Sequence, residues 1–246
     1  MVARPVLGLL GQLILAGGIV MQFLVILSGG VSGDPENQIW FLQASTSGVA
    51  NSPRDPSRWT FWAICGVDSN TGRNTNCGAP VPALPFDPRR NFGTREGLPE
   101  KFYGTHHYYY LSRFMFAFYL MAIVFAALAL VTGLLAMCSR LGGYISGFNT
   151  SLALFFQTIA AALMTAWTVQ GRDAFRGNGQ SAKLGVKAYA FTWAAVACFL
   201  TSTVLFCMAP RDKTTTNANR GFWVRRRTST RSRGSFADVP PKDGYA

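Results

Sequence analysis

Four stretches of this chain contain no Asp, Glu, Lys or Arg, and each is long enough to cross a bilayer. They cover residues 6–28, 114–137, 145–169 and 188–208. At about 1.5 Å per residue, a helix of such a length spans a hydrocarbon core about 30 Å thick. Only 14% of the residues are charged, against about a quarter in soluble domains. The pattern predicts an all-α membrane protein, a bundle of four transmembrane helices.

The first stretch has an alternative interpretation as a cleaved signal peptide. Arg4 precedes it, and small residues at 28–30 would suit cleavage. Its apolar part is longer than the roughly 7–15 residues of a signal sequence, and Gln12 and Gln22 within it suit a helix packed against other helices. We therefore expect an uncleaved span, and a four-span domain over residues 1–209.

The long loop at residues 29–113 has the pattern of a small β structure. Residues 39–42 and 59–65 are rich in aromatic and β-branched side chains, and turn-forming sequences separate and follow them. Cys65 and Cys77 lie within this polar loop, and a cross-link between them requires an oxidising compartment. We expect an extracellular antiparallel sheet stapled by this disulfide, which would contribute about 3 kcal/mol on a chain-entropy estimate.

Positive charges beside the spans indicate the orientation. The net charge is +12, and much of it lies in the tail at residues 210–246. Basic residues near the span ends favour cytoplasmic termini by eight to four. The eight are Arg4, Arg140, Arg211, Lys213, Arg220, Arg225, Arg226 and Arg227, and the four are Arg172, Arg176, Lys183 and Lys187.

The tail is predicted to be basic, cytoplasmic and disordered when free. A basic segment directly after a span is typical of contact with anionic inner-leaflet lipid rather than with nucleic acid. Hydroxyl residues among the arginines suit phosphorylation, which would weaken that contact. The alternative is a solvated charge run that only enforces topology. The lipid-contacting candidates are Arg225, Arg226, Arg227, Arg231 and Arg233, and the phosphorylation candidates are Thr228, Ser229 and Ser232.

Cysteines at the cytoplasmic ends of two spans are candidates for palmitoylation. Cys138 follows the second apolar stretch and Cys207 lies at the end of the fourth. An equally good interpretation treats them as small buried apolar residues.

Within the spans, small residues three or four apart predict packing seams, at Ala126, Ala129 and Gly133 and at Ala190, Ala194 and Cys198. No ionisable Asp, Glu, Lys, Arg or His lies within a span, which disfavours a channel or an ion-coupled transporter. The adjacent His106 and His107 diverge by about 100° on a helix and make a poor metal chelate. We expect no cofactor, no metal and no enzymatic activity.

Several stretches resemble the fungal Sur-seven/PalI family. They are residues 58–66 (RWTFWAICG), 76–78 (NCG), 82–88 (PALPFDP), 91–92, 110–114 and 171–172, and the resemblance extends to about residue 208. The tryptophan and two cysteines are also similar to the signature of claudin-type tetraspan proteins. The loop signature consists of Trp59, Trp62, Cys65, Gly66, Cys77, Gly78 and Pro85.

The resemblance implies a multi-pass plasma-membrane protein of fungal eisosomes, with a claudin-like fold and both termini cytoplasmic. Such proteins support membrane organisation, endocytosis and cell-wall integrity. The expected partners are anionic lipids, sterol or sphingolipid, further copies of the chain, and eisosome scaffold proteins. The alternative within the family is a PalI-like adaptor in ambient-pH signalling, which typically has a longer cytoplasmic tail.

Overall fold

The computed structural model describes residues 3–136 and 140–208. Within these ranges four helices are long and apolar enough to span a membrane, and a small antiparallel sheet joins them, as predicted. The helices are α1 (Ala3–Ile26), α2 (Pro88–Phe92), α3 (His107–Ala136), α4 (Arg140–Gly177) and α5 (Val186–Met208). The strands are β1 (Leu42–Ala44), β2 (Ser57–Trp59), β3 (Ile64–Val67), β4 (Asn74–Thr75) and β5 (Ala182–Leu184).

Small residues allow close helix packing, as predicted for α3. Ala126 and Ala129 are fully buried, and a Cβ added at Gly133 would lie 1.4 Å from Gln12 Nε2 of α1. Large exposed apolar side chains cover the outer faces of the four long helices. These faces are suited to contact with lipid chains.

The seam predicted for α5 is displaced. Ala190 is exposed, and Ala194 and Cys198 are half-buried. The buried face instead consists of Ala188, Thr192, Ala195, Phe199, Ser202 and Phe206. The reason is that α1 supplies the small residues: a Cβ at its Gly18 would lie 2.7 Å from the Phe199 ring, and one at its Gly11 would lie 3.1 Å from Phe206.

Helix α4 extends well beyond the bilayer thickness. Its 38 residues correspond to about 57 Å, against a hydrocarbon core of about 30 Å. Its last turns lie outside the apolar stretch, and Ala174 and Phe175 in them are buried. The end of α4 therefore packs against the sheet.

The sheet contains five strands in the order β4-β3-β2-β1-β5. The first four come from the long loop, whereas β5 comes from the connection between α4 and α5. Strand β5 pairs antiparallel with β1, with Leu42 opposite Leu184 and Ala44 opposite Ala182. Both loops on this side of the bundle therefore belong to one sheet, which sequence analysis did not predict.

The predicted strand positions need correction. The sequence over 59–65 predicts one strand, but it forms a hairpin, because β2 ends at Trp59 and β3 begins at Ile64. The Thr60 hydroxyl closes the turn by donating to Ala63 O at 2.6 Å. The strand predicted at residues 39–42 is also displaced, since β1 begins at Leu42.

Polar side chains from all four long helices meet inside the bundle. Gln22 of α1, Tyr119 of α3, Gln157 of α4 and Thr192 of α5 are each fully buried. Gln22 Nε2 donates to Gln157 Oε1, and Gln157 Nε2 donates to Thr192 O at 3.4 Å. The Tyr119 and Thr192 hydroxyls lie 2.7 Å apart. This network satisfies the predicted role of polar span residues in joining helices.

Candidate functional site: the disulfide-bonded sheet

Cys65 and Cys77 form a disulfide, as predicted. Cys65 lies in β3 opposite Arg58 of β2, and Cys77 follows β4. Gly78 N donates to Ile64 O at 3.0 Å directly beside the bond. Strand β4 contains two residues, too few for a stable pairing by itself. The disulfide therefore fixes this weak outer strand to the rest of the sheet.

Trp59 fixes the sheet to the helices beneath it. Its side chain is almost fully buried, and its ring lies 5.3 Å from Phe86, 6.1 Å from Phe92 of α2 and 5.7 Å from Phe175 of α4. The pairs with Phe86 and Phe92 are edge-to-face and the pair with Phe175 is tilted; edge-to-face pairs are worth about 0.5–1.5 kcal/mol each beyond area burial. Trp59 is thus a centre of the hydrophobic core between sheet and bundle.

Trp62 has a different role from Trp59. It lies in the β2–β3 turn and is half-buried. Its Nε1 donates to Ile26 O at the end of α1, at 2.6 Å, and its ring lies 5.9 Å from Phe116 of α3. This single side chain therefore caps a carbonyl that the helix end would otherwise leave unpaired and joins the sheet to two helices.

Phe86, which sequence analysis placed only within a family stretch, is a second centre of this core. Its ring contacts Trp59, Phe102, Tyr108 and Trp167. The half-buried Pro85 precedes it, and Phe86 N donates to Ser112 Oγ of α3 at 2.8 Å. The close spacing of Phe86, Phe92 and Phe102 in a polar loop was the available signal, because exposed loops seldom contain so many large aromatics.

Arg58 is a buried cation that sequence reasoning did not assign a role. Only 7% of its surface is exposed, and burial lowers the pKa of its guanidinium. It donates to Gln43 Oε1 at 2.9 Å, Gly72 O at 2.9 Å and Asn74 Oδ1 at 3.1 Å. Its Cζ lies 4.7 Å above the Trp40 ring. The neutral acceptors and the stacking compensate for lost hydration, and they connect β1, β2 and β4.

The signature glycines flank a second arginine. Arg54 is half-buried, its Nε donates to Asn76 O, and burial lowers its pKa. A Cβ added at Gly66 would lie 3.4 Å from Thr75 O and 3.7 Å from Arg54, and one at Gly78 would lie 3.6 Å from Arg54. These are ordinary contacts, so nothing in the local packing explains why both positions are glycine.

The predicted sites at the opposite end lie largely outside the described residues. Cys207 is free and exposed near the end of α5, so it remains a predicted acylation site. The other candidates there all fall outside the described ranges: Cys138, Arg225, Arg226, Arg227, Arg231, Arg233, Thr228, Ser229 and Ser232. Among the described residues, no group of three or more His, Cys, Asp and Glu side chains is placed to hold a metal.

Known proteins match the sequence of this chain over most of its length. A family model described as the SUR7/PalI family matches residues 7–205. Protein SUR7 of Candida albicans is 38% identical over 187 residues, which cover 76% of this chain and 67% of that protein. SUR7 family protein FMP45 of Saccharomyces cerevisiae is 37% identical over 83% of this chain and 66% of its own length.

A third relative carries a cellular location in its name. It is an uncharacterized plasma membrane protein of Saccharomyces cerevisiae, 33% identical over 77% of this chain and 64% of its own length. The chain thus spans about two thirds of the length of these relatives.

Proposed function

Because this chain belongs to the SUR7/PalI family, has four helices able to span a membrane and has a relative named as a plasma membrane protein, we propose that it organises fungal plasma-membrane domains of the eisosome type. In this role it supports endocytosis and cell-wall integrity through lateral contacts with proteins and lipids. It acts structurally, without catalysing a reaction.

The observation that carries this proposal is the joining of both sheet-side loops into one cap, the five-stranded sheet. The pairing of β1 with β5 links the α1–α3 connection to the α4–α5 connection. The aromatic core around Trp59 and Phe86 holds that cap on α3 and α4. Such a cap over an uncharged bundle suits a protein that functions through contacts at its surface and not through a reaction site.

The proposed topology puts the sheet outside the cell and both termini in the cytoplasm. The disulfide supports it, because such bonds persist in oxidising compartments, and so does the distribution of basic residues. Cytoplasmic partners would then be anionic lipids and scaffold proteins that meet the basic tail. Accessibility of the loop to a membrane-impermeant label on intact cells tests this orientation.

Imaging of a fluorescently tagged full chain in a fungal cell tests the main proposal. We expect static cortical patches that overlap an eisosome scaffold marker. An even plasma-membrane distribution, or an internal one, contradicts it. Deletion separates the adaptor alternative: a PalI-like role predicts loss of alkaline response with unchanged patches, whereas the organising role predicts altered patches.

A further inference from the structure

A cleft of about 440 Å³ opens between α2, the segment after it and residues 104–106, which directly precede α3. Its volume falls in the range of small-ligand sites, about 300–1,000 Å³. The sequence pattern predicts no binding role for this region. The lining includes Asp87, Arg89, Arg90, Arg95, Phe102 and His106.

The cleft is electropositive, with three arginines against one aspartate. Asp87 is already engaged: its carboxylate accepts from Arg90 N at 3.3 Å and pairs with Arg90 Nε at 3.3 Å. The ion pairs between described residues do not include Arg89 or Arg95. Arg95 Cζ lies 6.0 Å from the centre of the Tyr103 ring, and this stacking leaves the N–H donors at the edge of the guanidinium free. Both groups are therefore available to an anion, and their planar, forked donors match the oxygens of a phosphate.

An aromatic ladder leads from the cleft toward the membrane. The His106 ring lies 6.2 Å from Tyr110, Tyr110 lies 6.4 Å from Phe114, and Phe114 lies 6.5 Å from Phe118. Tyr110 and Phe114 are each 55% exposed, so both rings are accessible to a lipid chain. The ladder continues into the apolar stretch that begins at residue 114.

A second contact links the cleft to the end of the second span. The Tyr109 ring lies between two guanidiniums, 5.0 Å from Arg90 Cζ and 4.9 Å from Arg113 Cζ. Tyrosine and arginine at the end of a span are typical of the headgroup region. The cleft, which Arg90 lines, therefore lies within reach of lipid headgroups.

We propose that this cleft binds the headgroup phosphate of an anionic lipid of the sphingolipid class in the leaflet on the sheet side, with a hydrocarbon chain along Tyr110, Phe114 and Phe118; phosphatidylinositol serves as the probe for such a phosphate headgroup. A soluble phosphate ester shares the headgroup chemistry but makes no use of the ladder, which favours the lipid. The inference rests on the proposed function only for placing the sheet side at a membrane surface.

Native mass spectrometry of the purified full chain tests the headgroup contact. The protein in detergent is offered equal phosphatidylinositol and phosphatidylcholine, and the retained ratio is measured. We expect a preference for phosphatidylinositol that falls on the order of tenfold in Arg89→Ala/Arg95→Ala, because charged hydrogen bonds are lost. The control Arg73→Ala/Lys183→Ala removes the same charge on the sheet side but outside the cleft, and it should keep the preference.

Two further arms separate the sources of phosphate. Tyr110→Ala/Phe114→Ala should reduce lipid retention without changing the disulfide or the unfolding temperature. Titration with glycerophosphoinositol should show much weaker binding than the lipid. Three results would each overturn the proposal. The wild type and the Arg89/Arg95 variant could retain equal lipid ratios, or the control could lose the preference as much as that variant does. A soluble headgroup that binds as well as the lipid is the third.

Imaging of cortical patches in cells distinguishes failure of the lipid site from failure of the proposed organising function. Normal patches with no lipid preference refute the lipid site alone. A lipid preference lost in the arginine variant, in a protein that never forms patches, supports the site and refutes the organising role.

Discussion

Gln22 of α1 donates a hydrogen bond to Gln157 of α4 in the centre of the bundle, and neither side chain has any exposed surface. The two amides are not equivalent. Gln157 also donates to Thr192 O, whereas Gln22 Oε1 has no hydrogen-bond partner among the described residues. Gln157 therefore holds three helices together, and Gln22 carries an unsatisfied atom that weakens its own contribution.

This asymmetry predicts unequal effects of substitution. Gln157→Leu should lower the free energy of unfolding by about 1–2 kcal/mol, because it leaves Gln22 Nε2 without a partner and removes the side-chain bond to Thr192 O. Gln22→Leu should lower it by less than about 1 kcal/mol, since it also removes the unsatisfied oxygen. Denaturant unfolding in micelles measures both. Thr158→Val, on the exposed face of α4, is the control and should change little; equal losses for the two glutamines contradict the network.

Removal of the disulfide should loosen the outer edge of the sheet. Cys65→Ser, Cys77→Ser and the double variant should each lose about 3 kcal/mol, because all three open the same loop. The loss should match that of the reduced wild type. Cys207→Ser removes a free thiol and serves as the control. Additive losses in the double variant would show that the cysteines act separately.

Gly185 allows β5 to approach the long loop. A Cβ there would lie 1.6 Å from Trp40 O, and Gly185 N donates to Phe41 O at 2.9 Å. Gly185→Ala should therefore destabilise the sheet by about 3 kcal/mol or more, since backbone must move. Limited proteolysis of the sheet-side loops measures the effect. At Gly177, by contrast, a Cβ meets nothing within 4 Å, so Gly177→Ala should leave cleavage unchanged.

Arg58 and Arg54 should contribute unequally to the free energy of unfolding. Arg58→Lys should lower the free energy of unfolding by about 1–3 kcal/mol, because an ammonium group cannot reproduce the planar fork and the stacking on Trp40. Arg54→Lys loses one side-chain hydrogen bond at a half-buried position and should lose less than about 1 kcal/mol. Thermal unfolding of the two variants checks the order, and equal losses would show that the fork is unimportant.

The sequence predicts the membrane part of this fold well because hydrocarbon imposes a simple rule. A span must be long, helical and free of charge, so the absence of charged residues located all four. The helix bounds are harder to predict, because α3 and α4 continue beyond the lipid on the sheet side. There Tyr108, Phe175 and their neighbours are buried by protein, and sequence hydropathy does not separate the two environments.

The sheet was only partly predictable for two physical reasons. The β2–β3 turn contains Thr60, Phe61, Trp62 and Ala63 instead of glycine or asparagine, because the Thr60 hydroxyl supplies the turn hydrogen bonds and the aromatics pack on helices. Strand β5 contains three residues, Ala182–Leu184, too few for a periodic pattern. It forms a strand only because β1 lies beside it, a contact between residues far apart in the chain.

The pairing of β5 with β1 has a consequence for biogenesis. Strand β5 is synthesised after three of the four spans. Until then, the edge of β1 that pairs with β5 remains unpaired. An unpaired edge can join strands of other chains, and partly folded intermediates are prone to this error. A chain stalled or truncated before residue 182 would thus expose an unpaired β1 edge that can pair with other chains. This is the stage at which quality control in the secretory pathway would act on the protein.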